Sequence, residues 1–204
     1  LMPVGEYTKE EIRRIAGEAG LPVAQKKDSQ EICFVPDNDY AGFIEKSTGT
    51  KISGGNYIKN DGTVIGEHKG IIHYTIGQRK GLNLSMGHPV FVTEIRPETN
   101  EVVIGENEEL FVRSLICDRM NYMAMEEIND GEVLTGKIRY NHPGAPCTLK
   151  KLEDGRVQVN FLEPQRAVTP GQAVVLYRGE YVAGGGIILG PVREKENAAA
   201  LSEF

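Results

Sequence analysis

Cys33 stands in the run Lys27-Asp28-Ser29-Gln30-Glu31-Ile32-Cys33-Phe34-Val35, ringed by polar and charged residues. A thiol in such a setting can be exposed, and Lys26 and Lys27 nearby favour its ionised form, which is the nucleophile. Ile32 and Phe34 flank it, so the thiol can point away from whatever those two pack against. The bland reading of the same residue is a small, inert hydrophobe, and these residues alone leave both open. Cys117, after Ser114-Leu115-Ile116, and Cys147, after Pro146, lie in strand patterns and read as buried. The three cysteines form no C-x-x-C pair, and none has a histidine at metal-ligand spacing. Neither a disulfide scaffold nor a metal site is expected.

Two cationic segments come next. Tyr74-Thr75-Ile76-Gly77-Gln78-Arg79-Lys80-Gly81 reads as a strand ending in a loop with two adjacent cations and an amide. Arg79 and Lys80 on a glycine-flanked loop can approach an RNA backbone closely; they can equally be a solvated turn. Lys137-Ile138-Arg139-Tyr140-Asn141-His142 carries the same ambiguity. On a regular strand Lys137 and Arg139 would share one face, and Ile138 and Tyr140 the other. Arg139 at the strand's end would then suit a phosphate and Tyr140 a stacked base. The bland alternative is a half-buried barrel strand with a polar outside.

Ser53-Gly54-Gly55 resembles the start of a pyrophosphatase-type loop, Ser-Gly-Gly-x-Asp-Ser. Asn56-Tyr57-Ile58 follow instead, with no helix to hold phosphates at its N-terminus, so it reads as a plain loop. Gly184-Gly185-Gly186 falls inside a strand pattern, where a bulge or close backbone approach is expected.

The elements that must position these residues are mostly strands. Thr8 to Ala19 is a helix opened by a Thr8/Glu11 capping box and ended by Gly20 and Pro22. A second helix spans Tyr40 to Lys46. Beyond it, Asn60-Asp61-Gly62 marks a hairpin turn between Asn56–Lys59 and Thr63–Gly66. Ile71–Ile76, Val90–Ile95 and Glu101–Ile104 read as strands, with a turn at Pro97–Asn100. Six more follow: Phe111–Cys117, Val133–Tyr140, Cys147–Leu152, Val157–Phe161, Ala173–Tyr177 and Tyr181–Leu189. Six short strands in such a stretch predict a small closed barrel or a sandwich. The two β regions divide near Gly105 to Glu109.

The 204 residues, 40% hydrophobic and 25% charged, are ordinary for a globular protein. No apolar run is long enough to span a membrane, and the first residues lack the basic-then-apolar pattern of a signal peptide. A net charge of −6 argues against bulk electrostatic binding of nucleic acid, though not against a local basic patch. A reducing cytoplasm is the expected home.

Several of these stretches, in order, resemble one family. Gly5-Glu6-Tyr7-Thr8-Lys9, Gly20-Leu21-Pro22-Val23-Ala24, the Cys33 run, the Tyr74–Leu82 loop, Arg139-Tyr140, Glu163-Pro164, Ala167–Gln172 and Gly184–Ile188 are similar to the tRNA-specific 2-thiouridylases of the MnmA type. The resemblance covers roughly Val4 to Leu189. It implies an enzyme that uses ATP, with Mg2+, to adenylate the 2-oxygen of the wobble uridine in tRNAs for Lys, Glu and Gln. Sulfur carried as a cysteine persulfide then replaces that oxygen. By the same resemblance Cys33 carries the persulfide, working with a second cysteine near a catalytic Asp in an N-terminal domain. Arg139, Tyr140 and Gln172 match positions that contact tRNA, and Arg79 and Lys80 are expected to join them. A persulfide donor, such as a cysteine desulfurase or relay protein, is the expected partner.

The resemblance also sets the expected architecture: mainly β with a short α-helical N-terminal part. Residues 1–42 would be the remnant of the catalytic domain with the cysteine loop, and 43–106 a small β-rich central domain. Residues 107–190 would form a C-terminal closed β-barrel like those of translation factors, and 191–204 a flexible tail. The ATP loop, the partner cysteine and its Asp have no match, and the chain opens on Leu1. It is therefore expected to be the C-terminal part of a longer enzyme, to hold no ATP and to be inactive alone. Where many members of the family it resembles have Gly, this chain has Glu31, and a carboxylate there is expected to raise the Cys33 pKa by like-charge repulsion. The alternative readings are a non-catalytic tRNA-binding barrel module with a structural cysteine, and a purely structural or protein-interaction domain.

Overall fold

In a computed structural model of the chain, residues 3–26, 35, 39–129 and 131–193 are described. The chain divides into two compact units, Leu1–Lys51 and Ile52–Phe204. The first contributes helices α1 (Lys9–Glu18) and α2 (Tyr40–Thr48). Glu11 accepts from the Thr8 N–H at 2.7 Å, and Thr8 Oγ1 accepts from the Glu11 N–H at 3.3 Å. This is the reciprocal bonding that the Thr-x-x-Glu spacing predicts. Asp39 caps α2 through the Gly42 N–H, and Gly49 closes it at φ 66°.

The second unit holds a four-stranded sheet in the order β2-β1-β4-β3. Its strands are β1 (Gly55–Ile58), β2 (Val64–His68), β3 (Phe91–Arg96) and β4 (Glu101–Gly105). β1 and β4 run parallel; the other pairs are antiparallel. Asp61 Oδ1 accepts from the Thr63 N–H and Gly62 sits at φ 85°, so the Asn-Asp-Gly turn closes as its residues predict. Tyr57, Tyr74, Leu82, Val92, Val102 and Ile104 make the sheet's core.

The barrel follows. It consists of β5 (Phe111–Tyr122), β6 (Leu134–Lys137), β7 (Ala145–Lys151), β8 (Val157–Arg166), β9 (Ala173–Arg178) and β10 (Tyr181–Val192). The strands close in the order β10-β5-β8-β7-β6-β9. Val157, Val159 and Phe161 are buried while Gln158 and Asn160 are half-buried, the period-two pattern of a strand with one face in the core. Closing the sheet leaves no edge unpaired. The interior is tight: a Cβ on Gly136 would stand 2.9 Å from both Cys147 Sγ and Phe161 Cε1.

The fold is thus mostly β, with two helices and a closed six-stranded barrel. Two expected strands differ. Ile71–Ile76 is a 3-10 turn over Ile71–His73 followed by an irregular loop, because Gly70 (φ 125°) and Gly77 (φ 87°) bend the backbone on either side of buried Tyr74. β6 stops at Lys137, so Arg139 and Tyr140 lie in the turn beyond it. Ile138 is 2% exposed and Tyr140 97% exposed; they do not share a face.

Candidate nucleic-acid interface

Residues from three distant stretches line one cleft of about 340 Å³: Thr75–Gly77, Ile138–Arg139, and the segment from Arg166 to Gln172. All belong to the second unit.

The Thr75–Lys80 loop is held from both ends. The Gly77 N–H donates to the Val92 carbonyl at 2.8 Å, and the Val92 N–H donates to the Gln78 carbonyl at 2.9 Å. Gln78 knits the loop internally. Its Oε1 accepts from the Thr75 N–H at 3.0 Å, and its Nε2 donates to the Lys80 carbonyl at 2.9 Å. Arg79 and Lys80 therefore project from a fixed backbone, both exposed. Arg79 lines a separate shallow depression with Leu82 and Val90, not the cleft itself.

Arg139 is exposed, and its Nη1 donates to the Arg166 carbonyl at 3.0 Å. The turn that carries it is pinned by His142, whose N–H donates to the Arg139 carbonyl at 3.1 Å. His142 is itself buried. Its Nδ1 accepts from the Gly144 N–H at 3.2 Å, which leaves Nε2 to donate to Gln165 Oε1 at 2.9 Å. Burial holds the His142 pKa below the ordinary imidazole value, with Arg139 and Lys137 adding repulsion against the Gln165 hydrogen bond. Gln172 is exposed at the rim, just ahead of β9.

Arg166 escaped the reading of the sequence, although it lines the cleft. Its guanidinium lies 5.4 Å from the Phe91 ring centroid, and its Nε donates to Asn107 Oδ1 at 3.3 Å. Arg166 is the last residue of β8, opposite Phe111 of β5, and the chain turns just after it at Ala167, a left-handed residue (φ 56°) that is not glycine. Nothing in the residue types around Ala167 marks that conformation.

Cys33 lies outside the described residues. Cys117 and Cys147 are buried and free, and burial pushes both thiols up to about 12, so the thiolate is scarce at neutral pH. Ser53-Gly54-Gly55 leads straight into β1, with its Ser53 and Gly54 carbonyls accepting from Asn100 Nδ2. That is a structural loop rather than a phosphate cradle. Among the described residues, no helix is long and apolar enough to cross a membrane.

Three family models match the chain in succession. They are a tRNA methyl transferase HUP domain over residues 1–37, a tRNA methyl transferase PRC-barrel domain over 41–106 and an aminomethyltransferase β-barrel domain over 112–188. A tRNA-specific 2-thiouridylase MnmA of Lachnoclostridium phytofermentans is 61% identical over 93% of the chain and 53% of that relative. Proteins of the same name from Carboxydothermus hydrogenoformans and Clostridium perfringens are 50% and 49% identical, each over 92% of the chain and 52% of the relative. The chain spans about half the length of the curated relatives it matches.

Proposed function

The chain belongs to the tRNA-specific 2-thiouridylase family, and from that premise we propose that it supplies the tRNA-holding surface and the sulfur-carrying cysteine of an enzyme that replaces the 2-oxygen of a wobble uridine with sulfur. One observation carries the reading: Arg139, Gln172 and the Thr75–Gly77 loop, far apart in sequence, meet in one cleft. Arg139, with Arg79 and Lys80 on their own fixed loop, takes phosphates of the tRNA backbone. Tyr140, 97% exposed on a pinned turn, offers its ring to a base.

Cys33 is the proposed sulfur carrier, loaded by a persulfide donor protein. A uridine 2-oxygen is a poor leaving group until activated, and the resemblance assigns that activation to ATP with Mg2+. The Ser53–Gly55 loop does not fit ATP, so no step through it is derived from these residues. The outer sulfur of the Cys33 persulfide would then attack C2 as the activated 2-oxygen leaves, and the second cysteine that the resemblance places in an N-terminal domain would break the S–S bond, leaving the sulfur on the uridine and a disulfide with Cys33. The uridine must leave its stack to reach the sulfur. The cytoplasm, where tRNA and reduced thiols coexist, is the proposed site of action.

Filter binding of tRNA tests the surface. Arg139→Ala and Tyr140→Ala should each weaken binding by about tenfold, the range for a lost stacked base or phosphate contact. Unchanged affinity in both variants would sink the reading. Incubation with a persulfide donor tests the chemistry: intact mass should show one added sulfur on the chain, and none on Cys33→Ser. Sulfur gained equally by Cys33→Ser would leave only a tRNA-binding module. Nucleoside analysis of tRNA treated with the longer enzyme separates thiolation from the methyl transfer named in two of the family models.

A further inference from the structure

We infer that the cleft formed by Ile76, Gly77, Ile138, Arg139, Arg166 and Gln172 is a pocket for a single unstacked nucleotide of the bound RNA, an inference that rests on the tRNA-binding function proposed above.

The lining has two chemistries. Ile138, 2% exposed, lies against it, with half-buried Ile76 and Ala167 beside it. Phosphate alone gains nothing from an apolar wall and loses hydration against one. A nucleobase has two flat apolar faces and suits it. The polar groups complete a nucleotide's requirements. The Arg139 guanidinium spends one N–H on the Arg166 carbonyl and keeps others for a phosphate. Gln172 is exposed at the rim with both a donor and an acceptor for a base edge. The volume of about 340 Å³ lies at the small end of ligand pockets, about 300–1,000 Å³. It suits one nucleotide and excludes a stretch of duplex.

The backbone keeps this space open at a cost. Ala167 holds φ 56° without being glycine. Its N–H donates to the Leu110 carbonyl at 2.9 Å, and its carbonyl accepts from Thr169 Oγ1 at 3.0 Å, so the strained turn is fixed from both sides. That turn brings Arg166 and Thr169 to the same cleft. Opposite, a Cβ on Gly77 would stand 3.2 Å from Ala167 Cβ and 3.3 Å from Arg166 Nη1, at a φ of 87° that side chains rarely adopt. Glycine there lets the loop and the barrel frame the cleft. Tyr140 does not line it, so the pocket is a contact separate from the exposed tyrosine.

Methyl NMR on isoleucine-labelled chain tests the pocket, with tRNA and inorganic polyphosphate as separate probes. A base seated on the apolar wall should shift the Ile76 and Ile138 δ1 methyls upfield through its ring current, and polyphosphate should not. Gln172→Ala, an exposed position that leaves the fold alone, should weaken tRNA binding about three- to tenfold. Arg166→Ala should abolish the tRNA-induced methyl shift, its own spectrum reporting whether the variant is folded. Tight, salt-sensitive tRNA binding with both methyls unmoved would overturn the pocket and leave the tRNA surface standing. Equal shifts with polyphosphate would overturn it in favour of a phosphate seat. No tRNA binding at all would overturn this inference and the proposed function together.

Discussion

A buried imidazole holds the turn that presents Arg139 and Tyr140, and the same device occurs twice. His142 Nδ1 accepts from the Gly144 N–H, and His68 Nδ1 accepts from the Gly70 N–H at 3.0 Å. Each ring then donates from Nε2, to Gln165 Oε1 and to the Asn100 carbonyl respectively. A second ring proton would point at an N–H in both cases. Burial holds both pKa values below the usual imidazole value, with repulsion from Arg139 and Lys137 at one and from His73 at the other. The unfolded chain titrates near about 6.5. Below that pH the unfolded state binds more protons, so this stability is complete above about 6.5 and is lost as pH falls through the folded values. Urea midpoints should therefore drop between pH 7 and pH 5.5, before most carboxylates titrate. His142→Gln should flatten that drop while costing about 1–3 kcal/mol at pH 7, because Gln165 loses its buried donor. An equally steep drop in His142→Gln would refute the assignment.

At the scale of the strand, β10 depends on three glycines. A Cβ on Gly184, Gly185 or Gly186 would lie 2.7, 2.7 or 2.6 Å from the carbonyl oxygens of Asn121, Val174 and Asp118. Those carbonyls belong to β5 and β9, the two neighbours that β10 joins to close the barrel. The backbones must separate to admit a methyl group. Gly185→Ala should therefore cost about 1–3 kcal/mol in urea unfolding, whereas Gly190→Ala, with nothing within 4 Å, should stay within about 0.5 kcal/mol. Equal effects at the two positions would show that close approach is not what requires glycine. This requirement was legible in the sequence as three glycines within a strand pattern, and so were the capping box of α1, the Asn-Asp-Gly hairpin and the strand pattern of β8. Burial periodicity and cap chemistry are local, and those elements are locally determined. The Ile71–Ile76 loop and the end of β6 were not legible. Ile71, Tyr74, Ile76 and Ile138 are buried or half-buried as a strand's apolar residues would be, but on backbone bent by Gly70, Gly77 and the His142 pin, and Tyr140 is fully exposed. Periodicity reports that a side chain is buried and not which backbone takes it there. Arg166 stayed hidden for a related reason: β8 runs on past Phe161 to end at Arg166 opposite Phe111, and the groups that hold the guanidinium, the Phe91 ring and Asn107, are distant in sequence.

For the whole molecule, a net charge of −6 must be reconciled with the proposed polyanionic partner. The resolution lies in which cations are already neutralised. Arg96 pairs with Glu94, Arg119 with Asp118, Arg156 with Asp154 and Arg178 with Glu132, each within 3.2 Å. Among the described residues, Arg79, Lys80 and Arg139 make no such ion pair, and all three are exposed. Screening restricts each charge to a reach of about 8 Å at physiological salt. In the proposed function the unpaired cations would therefore meet RNA phosphates without cancellation from distant carboxylates. Each phosphate contact contributes about 0.7–0.9 to the slope of log affinity against log salt. Replacing Arg79, Lys80 and Arg139 together by Gln should lower the tRNA slope by about 2–3. Arg156→Gln also makes the net charge more negative, but it removes a cation already satisfied by Asp154, and it should leave the slope within about 0.3 of the parent's. A slope that fell equally in both variants would mean that net charge governs association. A slope unchanged in the triple variant would mean that the tRNA lies on a different face.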